Sequence, residues 1–147
     1  MKEKHVSEVR SFNRFYTPVI GLMDKYILDS RFSLPEVRVL YEIHHRDACT
    51  SSDLVQALGM DKGYLSRLIS QFEKKKLLVR KRAGHDSRTS YLFLTATGRK
   101  ELEGLVDASN AHIRMILEPL SDEQCNKLIH HMAEIRKIFL NTANLPS

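Results

Sequence analysis

The sequence has little of what several protein classes depend on. Its two cysteines, Cys49 and Cys125, lie far apart in 147 residues and form no C-x-x-C pair, which argues against a disulfide framework and a structural zinc site. Six glycines and four prolines are too few for a chain built mainly of short strands and tight turns. No apolar run approaches the roughly 20 residues that span a bilayer, and the polar start MKEKHVSEVR lacks a signal-peptide core. We therefore expect a cytoplasmic, mainly helical protein that makes no contact with a membrane.

What the sequence does contain is a local excess of positive charge. Residues 62–100 hold eleven Lys or Arg against only two acidic residues, Glu73 and Asp86, a net of +9 within a chain whose overall net charge is +5. A basic segment inside an otherwise acidic protein predicts a surface that binds a polyanion. An ordinary solvated face would have the same composition. The charge therefore supports a polyanion-binding surface only together with a fold that is suited to such binding.

The middle of the chain has the pattern of a helix-turn-helix. Thr50 and Asp61 are suited to cap two helices, and Gly59 is suited to the left-handed turn that ends the first of them. The second helix is expected to bury one apolar side and to expose a polar, basic one; the residues on the apolar side are Leu65, Leu68, Ile69 and Phe72. Two helices joined by a tight turn are typical of DNA-binding proteins, although other small helical proteins contain such pairs.

A β-hairpin is predicted directly after this helix pair. Residues 78–82 and 90–94 have the character of strands, and the turn-rich segment 83–89 lies between them. A hairpin in this position makes a winged helix-turn-helix, whose second helix can enter the major groove of DNA while the wing reaches a minor groove through Arg88.

Long amphipathic helices flank this module. Apolar residues spaced by three and four predict a helix over 6–28, kinked or divided at Pro18. A further capping box is expected at Ser33 to Glu36, before the module's first helix. Thr95 and Ser121 are suited to cap two C-terminal helices, and the last of these has a seam of Cys125, Leu128, Met132, Ile135, Phe139 and Thr142.

Since a module with its own core leaves these helices little to pack against, we expect them to form a homodimer interface. The predicted fold class is mainly α with a small β-wing, in which a winged helix-turn-helix is flanked by N- and C-terminal dimerisation helices. A single domain is expected over 1–147, with the DNA-binding core at 34–94 and the dimerisation helices at 6–29 and 96–142.

The stretch from SDLVQALGMDKGYLSRLISQFEKKK to TSYLFLTATGRKEL resembles the winged-helix core of the MarR family of bacterial transcription regulators. Asp86-Ser87-Arg88 is similar to the family's D-x-R, and Leu94-Thr95-x-x-Gly98-Arg99 to its L-T-x-x-G-R. The resemblance implies that Arg88 inserts into the minor groove and that Asp86 braces the wing through an ion pair. The chain departs from the family where Lys76 stands in place of a usual glycine at the end of the recognition helix. Either this lysine adopts a left-handed conformation, at a cost of about 1 kcal/mol, or the helix ends differently.

The candidate DNA-binding residues follow from this arrangement. Ser66, Arg67 and Ser70 share the outer face of the recognition helix, where an arginine can bind guanine through two hydrogen bonds. Lys62 and Tyr64 are expected to contact phosphate or sugar. Lys74 has two open interpretations, a DNA contact and an ordinary solvated charge. Sequence-independent electrostatics is expected from the wing residues Arg80 and Arg82.

The resemblance also implies a small aromatic effector, bound in a crevice between the dimer helices and the module. The candidate lining residues are Phe12, Phe15, Tyr16, Tyr41 and His44, although a Phe/Tyr stripe at helical spacing is also typical of a core. Two thiols and seven histidines raise the alternatives of a redox sensor and a cross-helix metal site. The spacing favours neither, and we expect no metal, no cofactor and no catalytic residues.

The predicted function is a double-stranded-DNA-binding transcription regulator, and specifically a repressor that binds an inverted-repeat operator as a homodimer. Two other hypotheses remain open at this point. The N-terminal part also resembles the regulator module of MarR–acetyltransferase fusions, which would make the chain part of an enzyme. A winged helix can also serve as a protein-interaction module, but such an interface has no need of the basic excess.

Overall fold

The computed structural model of the chain describes residues 2–21, 30–84 and 86–142. Across these residues helices predominate, and the only sheet is one antiparallel hairpin. The elements in chain order are α1 (Lys2–Val19), α2 (Leu34–His45), α3 (Ser51–Leu58), α4 (Lys62–Lys74), β1 (Leu78–Ala83), β2 (Asp86–Leu94), α5 (Ala96–Leu117) and α6 (Asp122–Asn141). The predicted fold class, mainly α with a small β-wing, is confirmed.

One hydrophobic core lies between α2, α3, α4, the hairpin and the first half of α5. Phe32 and Phe72 face each other there with ring centroids 6.5 Å apart, and both are 1% exposed. Among the described residues this core contains no buried polar or charged side chain. Its most deeply buried members include Val39, Leu40, Cys49, Leu54, Leu65, Ile69, Leu77 and Leu92. The winged-helix module is therefore held together by apolar burial within a single chain.

Local capping fixes the helix-turn-helix as the sequence predicts. Thr50 and Asp53 cap α3 reciprocally, since the Thr50 hydroxyl accepts from the Asp53 amide and the Asp53 carboxylate accepts from the Thr50 amide. Gly59 ends α3 in the left-handed region at φ 61°. The Asp61 carboxylate then accepts from the Tyr64 amide at 2.9 Å and starts α4. These bonds satisfy amides that a helix start would otherwise leave unpaired.

The predicted capping box at Ser33 is wrong. Ser33 does precede α2, but its side chain makes no capping hydrogen bond; its backbone carbonyl accepts from the Val37 amide instead. Pro35 occupies the first turn, where a missing amide proton costs nothing because that proton would have no partner within the helix.

The helix α1 starts at Lys2, earlier than the sequence pattern indicates, and ends at Val19, directly after Pro18. The chain turns at Gly21, where φ is 75°. The remainder of the predicted helix, and with it the end of the predicted dimerisation segment 6–29, lies outside the described residues. Neither α1 nor α6 buries a single residue within one chain. No described helix has the length and apolar content needed to cross a membrane.

Candidate nucleic-acid interface

The helix α4 has two distinct sides. Leu65, Leu68, Ile69 and Phe72 are buried in the core, as predicted. The opposite side is exposed and carries five of the six candidate residues on this helix, namely Lys62, Ser66, Arg67, Ser70 and Lys74. The sixth, Tyr64, is half-buried and packs against the core cluster. The structure thus brings a polar, basic helix face to the surface and holds it there through its apolar side.

The wing is a longer hairpin than the sequence indicates. We expected a loop over 83–89, but β1 continues to Ala83 and β2 begins at Asp86. The register changes from Arg82 opposite Ser90 to Ala83 opposite Asp86, so residues 87–89 form a bulge in β2. Bulges bend a strand and redirect its side chains. Arg88 lies in this bulge and is exposed, whereas the side chain of Asp86 and its predicted brace lie outside the described residues.

The wing is attached to the rest of the module at its base. The Leu92 amide donates to the Cys49 carbonyl at 2.7 Å, so the segment before α3 forms an isolated bridge with β2. On the outer face of the hairpin, the Lys81 ammonium lies 5.2 Å from the ring centroid of Phe93. The bridge anchors β2 to the segment before α3, and the Lys81–Phe93 contact joins the two strands of the hairpin.

A tight joint connects the end of α4 to the start of α5. Lys76 has φ 57°, which is the left-handed conformation and decides between the two alternatives for this position. Its carbonyl accepts from the Thr95 hydroxyl at 2.6 Å, and the same hydroxyl accepts from the Gly98 amide. A Cβ at Gly98 would overlap the carbonyl oxygen of Leu77. The motif Leu94-Thr95-x-x-Gly98-Arg99 is therefore a packing motif, in which only glycine allows α5 to approach this turn.

Sequence reasoning missed an ion pair between the recognition helix and the wing. The Glu73 carboxylate accepts from Arg80 Nε at 2.6 Å, and each side chain is a little over one-third exposed. The available signal was that Glu73 is one of two acidic residues in the basic segment. The partner could not be found from spacing, because the two residues are seven apart across a turn.

The candidate effector residues do not converge on one cavity. Phe12 and Tyr16 stack on α1 with centroids 5.3 Å apart, while Tyr41 stacks on His45 in α2. Phe15 and His44 are exposed. An open groove of about 890 Å³ lies instead along α5, with a lining that includes Arg31, Phe32, Lys100, Glu101, Gly104 and Leu105. The predicted effector site at the five residues stays a prediction.

The structure bears on the two alternative chemistries as well. Burial, with a smaller effect from the nearby Asp53 carboxylate, raises the pKa of the Cys49 thiol to about 11, so this thiol stays protonated and unreactive at neutral pH. Within residues 2–21, 30–84 and 86–142, no three His, Cys, Asp or Glu side chains come close enough together to hold a metal ion.

Comparison with known proteins identifies the module. The model of the MarR family matches residues 32–89, from the start of the core to the wing. A curated relative from Bacillus subtilis (strain 168), the HTH-type transcriptional regulator YdgJ, is 27% identical over 118 residues, which cover 80% of this chain and 71% of the relative. The winged-helix module, residues 32–89, belongs to the MarR family of DNA-binding transcription regulators.

Solved structures support the same fold over nearly the whole chain. The crystal structure of Streptococcus pneumoniae FabT in complex with DNA superposes with a TM-score of 0.78 at 18% identity and covers 96% of this chain and 99% of FabT. Bordetella bronchiseptica BpsR, whose structure concerns regulation of DNA binding by 6-hydroxynicotinic acid, gives a TM-score of 0.66 at 20% identity over 86% of this chain and 91% of BpsR. The hypothesis of an acetyltransferase fusion gains no support from these proteins.

Proposed function

We propose that this MarR-family chain is a repressor that binds an inverted-repeat operator as a homodimer. The observation that carries the proposal is the exposed basic surface formed jointly by α4 and the wing, above a fully apolar core. An α-helix fits the major groove of B-DNA, and a basic strand pair beside it fits the adjacent backbone and minor groove. Both elements are at the surface and attached to one rigid module.

The roles of the individual side chains follow from their positions. Arg67, with Ser66 and Ser70 beside it on the exposed face of α4, is assigned to base edges in the major groove. Lys62 and Lys74 lie at the two ends of this face, and the half-buried Tyr64 lies beside it. All three are assigned to the phosphate backbone. Arg88, in the exposed bulge of β2, is assigned to the minor groove, with Asp86 as its brace. Arg82 contributes sequence-independent attraction to the backbone.

The homodimer is supported by the apolar side chains that α1 and α6 leave in solvent. Both helices lack any buried residue in the single chain, yet both present large apolar side chains at helical spacing. Exposed stripes of this size indicate a protein partner. The side chains concerned are Val6, Val9, Phe12, Phe15, Ile129, Met132, Ile135, Ile138 and Phe139.

A second copy of the chain is the partner that fits an inverted repeat. Two-fold symmetry would present two recognition helices to two major grooves about 34–36 Å apart on one face of the DNA. The dimerisation segments of the proposal are 6–29 and 96–142, with the module 34–94 between them.

A small aromatic effector is proposed to release the repressor from DNA. BpsR is a MarR-like fold whose DNA binding is described as regulated by an aromatic acid, which supports a ligand of this class. The stacked rings of Phe12 and Tyr16 offer an aromatic surface for it, with Phe15, Tyr41 and His44 as further candidates. Binding between the dimer helices and the module would change the separation of the two recognition helices, so that one half-site loses contact.

The test is fluorescence anisotropy with a labelled duplex from upstream of the chain's own gene, titrated at several salt concentrations with unlabelled competitor DNA. We expect tight binding that survives the competitor. Replacing Arg88 by Ala should weaken operator binding about tenfold, as expected for loss of one specific arginine contact, and leave the dimer intact. The matched control is Arg38→Ala, which removes the same charge from an exposed position on α2 outside the basic segment.

Three results would contradict the proposal. Arg88→Ala with undiminished affinity would remove the wing from the interface. A monomeric Arg88→Ala protein would indicate a structural role for this residue. Absence of binding even at low salt would overturn the DNA-binding assignment for this duplex, and a screen of other promoter fragments that also failed would overturn it altogether.

A further inference from the structure

The starting observation is the ion pair between Glu73 in the last turn of α4 and Arg80 in β1. Arg80 Nε donates to the Glu73 carboxylate at 2.6 Å. In the described part of the chain, this is the one ion pair that links the recognition helix to the wing. The backbone bond from the Leu77 amide to the Phe72 carbonyl fixes the turn between them, and among the described residues no other backbone hydrogen bond joins the hairpin to α4.

Electrostatics alone gives no reason for an acidic residue in this place. Glu73 is followed directly by Lys74 and Lys75 and lies on the module's basic side. A carboxylate there repels DNA phosphates, and its removal would raise the local positive charge by one. Since sequence-independent binding depends on positive charge, its removal should tighten binding to any DNA. The presence of Glu73 is therefore better explained by its ion pair with Arg80 than by a direct effect on DNA.

The register of the hairpin shows on which side of β1 the partner of Glu73, Arg80, lies. Arg80 pairs with Leu92, which is 1% exposed, and shares the core-facing side of β1 with the buried Leu78. The Arg80 guanidinium therefore lies on the side of the hairpin that faces the core, where it meets Glu73 at the end of α4. Arg82 lies on the same side two residues further towards the tip, is exposed, and makes no ion pair with any described residue.

We propose that Glu73 is a positioning residue for the wing: by holding Arg80 in an ion pair it sets the hairpin against the recognition helix. Arg80 then acts on DNA binding through this pair and not as a phosphate contact. The inference rests on the proposed function, because it concerns the geometry of the same interface. It narrows the role of Arg80 from general electrostatics to orientation, and it adds Glu73 to the residues that determine specificity.

The experiment measures affinity for the operator and for a non-specific duplex, each as a function of salt, in the intact dimer. Glu73→Ala should tighten non-specific binding about twofold, since one repulsive charge is lost. The ratio of operator to non-specific affinity should fall about fivefold, the upper range for an exposed ion pair. Arg80→Ala should lower this ratio by the same factor, and the double variant should lower it no further, because both changes remove one interaction.

Arg82→Ala is the matched control. As a phosphate contact, Arg82 should weaken binding to both duplexes equally and make the slope of log affinity against log salt shallower by about 0.9. Arg80→Ala should leave this slope unchanged. Thermal unfolding of each variant within a few degrees of the wild type, as expected for exposed positions, separates the effect on DNA from an effect on folding.

The outcomes distinguish this inference from the proposed function. Wild-type protein that binds neither duplex overturns the proposed function. Wild-type protein that binds its operator, with Glu73→Ala unchanged in its specificity ratio, overturns the positioning role alone. Arg80→Ala that behaves like Arg82→Ala, with a shallower slope and a constant ratio, assigns Arg80 to phosphate. Additive losses in the double variant would indicate that the two residues act separately.

The exchanged pair Glu73→Arg with Arg80→Glu keeps the net charge and should recover most of the wild-type ratio of operator to non-specific affinity.

Discussion

The winged-helix module and the two outer helices, α1 and α6, differ in the burial of their apolar side chains. Leu40 and Leu54 in the module are completely buried, whereas Phe139 and Ile138 on α6 are more than half exposed. The helix α5 belongs to both regions, because Leu102 near its start is buried and Met115 near its end is 70% exposed. The comparison indicates that the winged-helix module closes its own core within one chain, while the outer helices leave apolar faces that the proposed homodimer would cover.

The largest effect should come from the joint where the two regions meet. A side chain at Gly98 has no space, because its Cβ would overlap the Leu77 carbonyl oxygen and lie 2.9 Å from the carbonyl carbon. Gly98→Ala should therefore lower the free energy of unfolding by about 3 kcal/mol, the upper end of the usual range for overpacking. Urea denaturation followed by circular dichroism measures this loss.

Gly104, six residues further along the same helix, is the control for this prediction. A Cβ there meets nothing within 4 Å. Gly104→Ala should raise the free energy of unfolding by about 0.5–1 kcal/mol, the usual gain of alanine over glycine inside a helix. If Gly98→Ala unfolded at the same urea concentration as Gly104→Ala, the close approach of α5 to the turn would not exist in solution.

The second largest effect should come from a substitution on α6 that disrupts the dimer and leaves the winged-helix module folded. Phe139→Asp places a charge in the exposed apolar face of α6 and should convert the dimer to a monomer, as measured by light scattering after size exclusion. Operator affinity should fall about 100-fold, because two linked half-site contacts become one. The circular dichroism spectrum should stay that of the folded protein. Asn126→Asp introduces the same side chain at an exposed polar position of α6 and should stay dimeric; a Phe139→Asp dimer would contradict the assigned interface.

A smaller effect concerns acid stability of the module. Hydrogen bonds from the backbone and side chain of Thr50 lower the pKa of the Asp53 carboxyl, although burial opposes the shift. A carboxyl whose pKa is lowered by folding stabilises the protein above its ordinary pKa and loses this contribution as the pH falls through the folded pKa. Asp53→Asn should lower the free energy of unfolding by about 1 kcal/mol near neutral pH. The difference from wild type should shrink towards about pH 3.

Urea denaturation at both pH values measures this change. The exposed Asp47, in the connection after α2, supplies the control variant Asp47→Asn, which should match the wild type at both. A difference between Asp53→Asn and wild type that stayed constant with pH would mean that the carboxylate does not cap α3.

The sequence predicted most of the module because its determinants are local. The caps at Thr50 and Asp61 and the turn at Gly59 need only neighbouring residues, and the side of α4 that is buried follows from helical periodicity. At Lys76 the motif left two alternatives, a left-handed lysine or a different helix end, and the φ of 57° there decides for the first. The exposed basic residues of α4 follow from the same periodicity.

What the sequence did not predict depends on contacts between elements. Polar turn-forming residues over 83–89 suggested a loop, but Ala83 pairs with Asp86 across the strands, so both strands extend beyond the bulge at 87–89. The need for Gly98 arises only when α5 meets the turn at Leu77. Ser33 has the right neighbours for a capping box, yet its side chain makes no capping bond. The Glu73–Arg80 pair joins a helix to a strand and has no periodic signature.

Lys76 also has a consequence for how stable this protein can become. A lysine at φ 57° is less stable there than glycine by about 1 kcal/mol. Proteins commonly keep residues that are suboptimal for folding where function uses them. The strained lysine between α4 and the wing is exposed and adds one positive charge at the edge of the proposed DNA-binding surface. On that proposal, a form with glycine at this position would be more stable and would bind DNA more weakly.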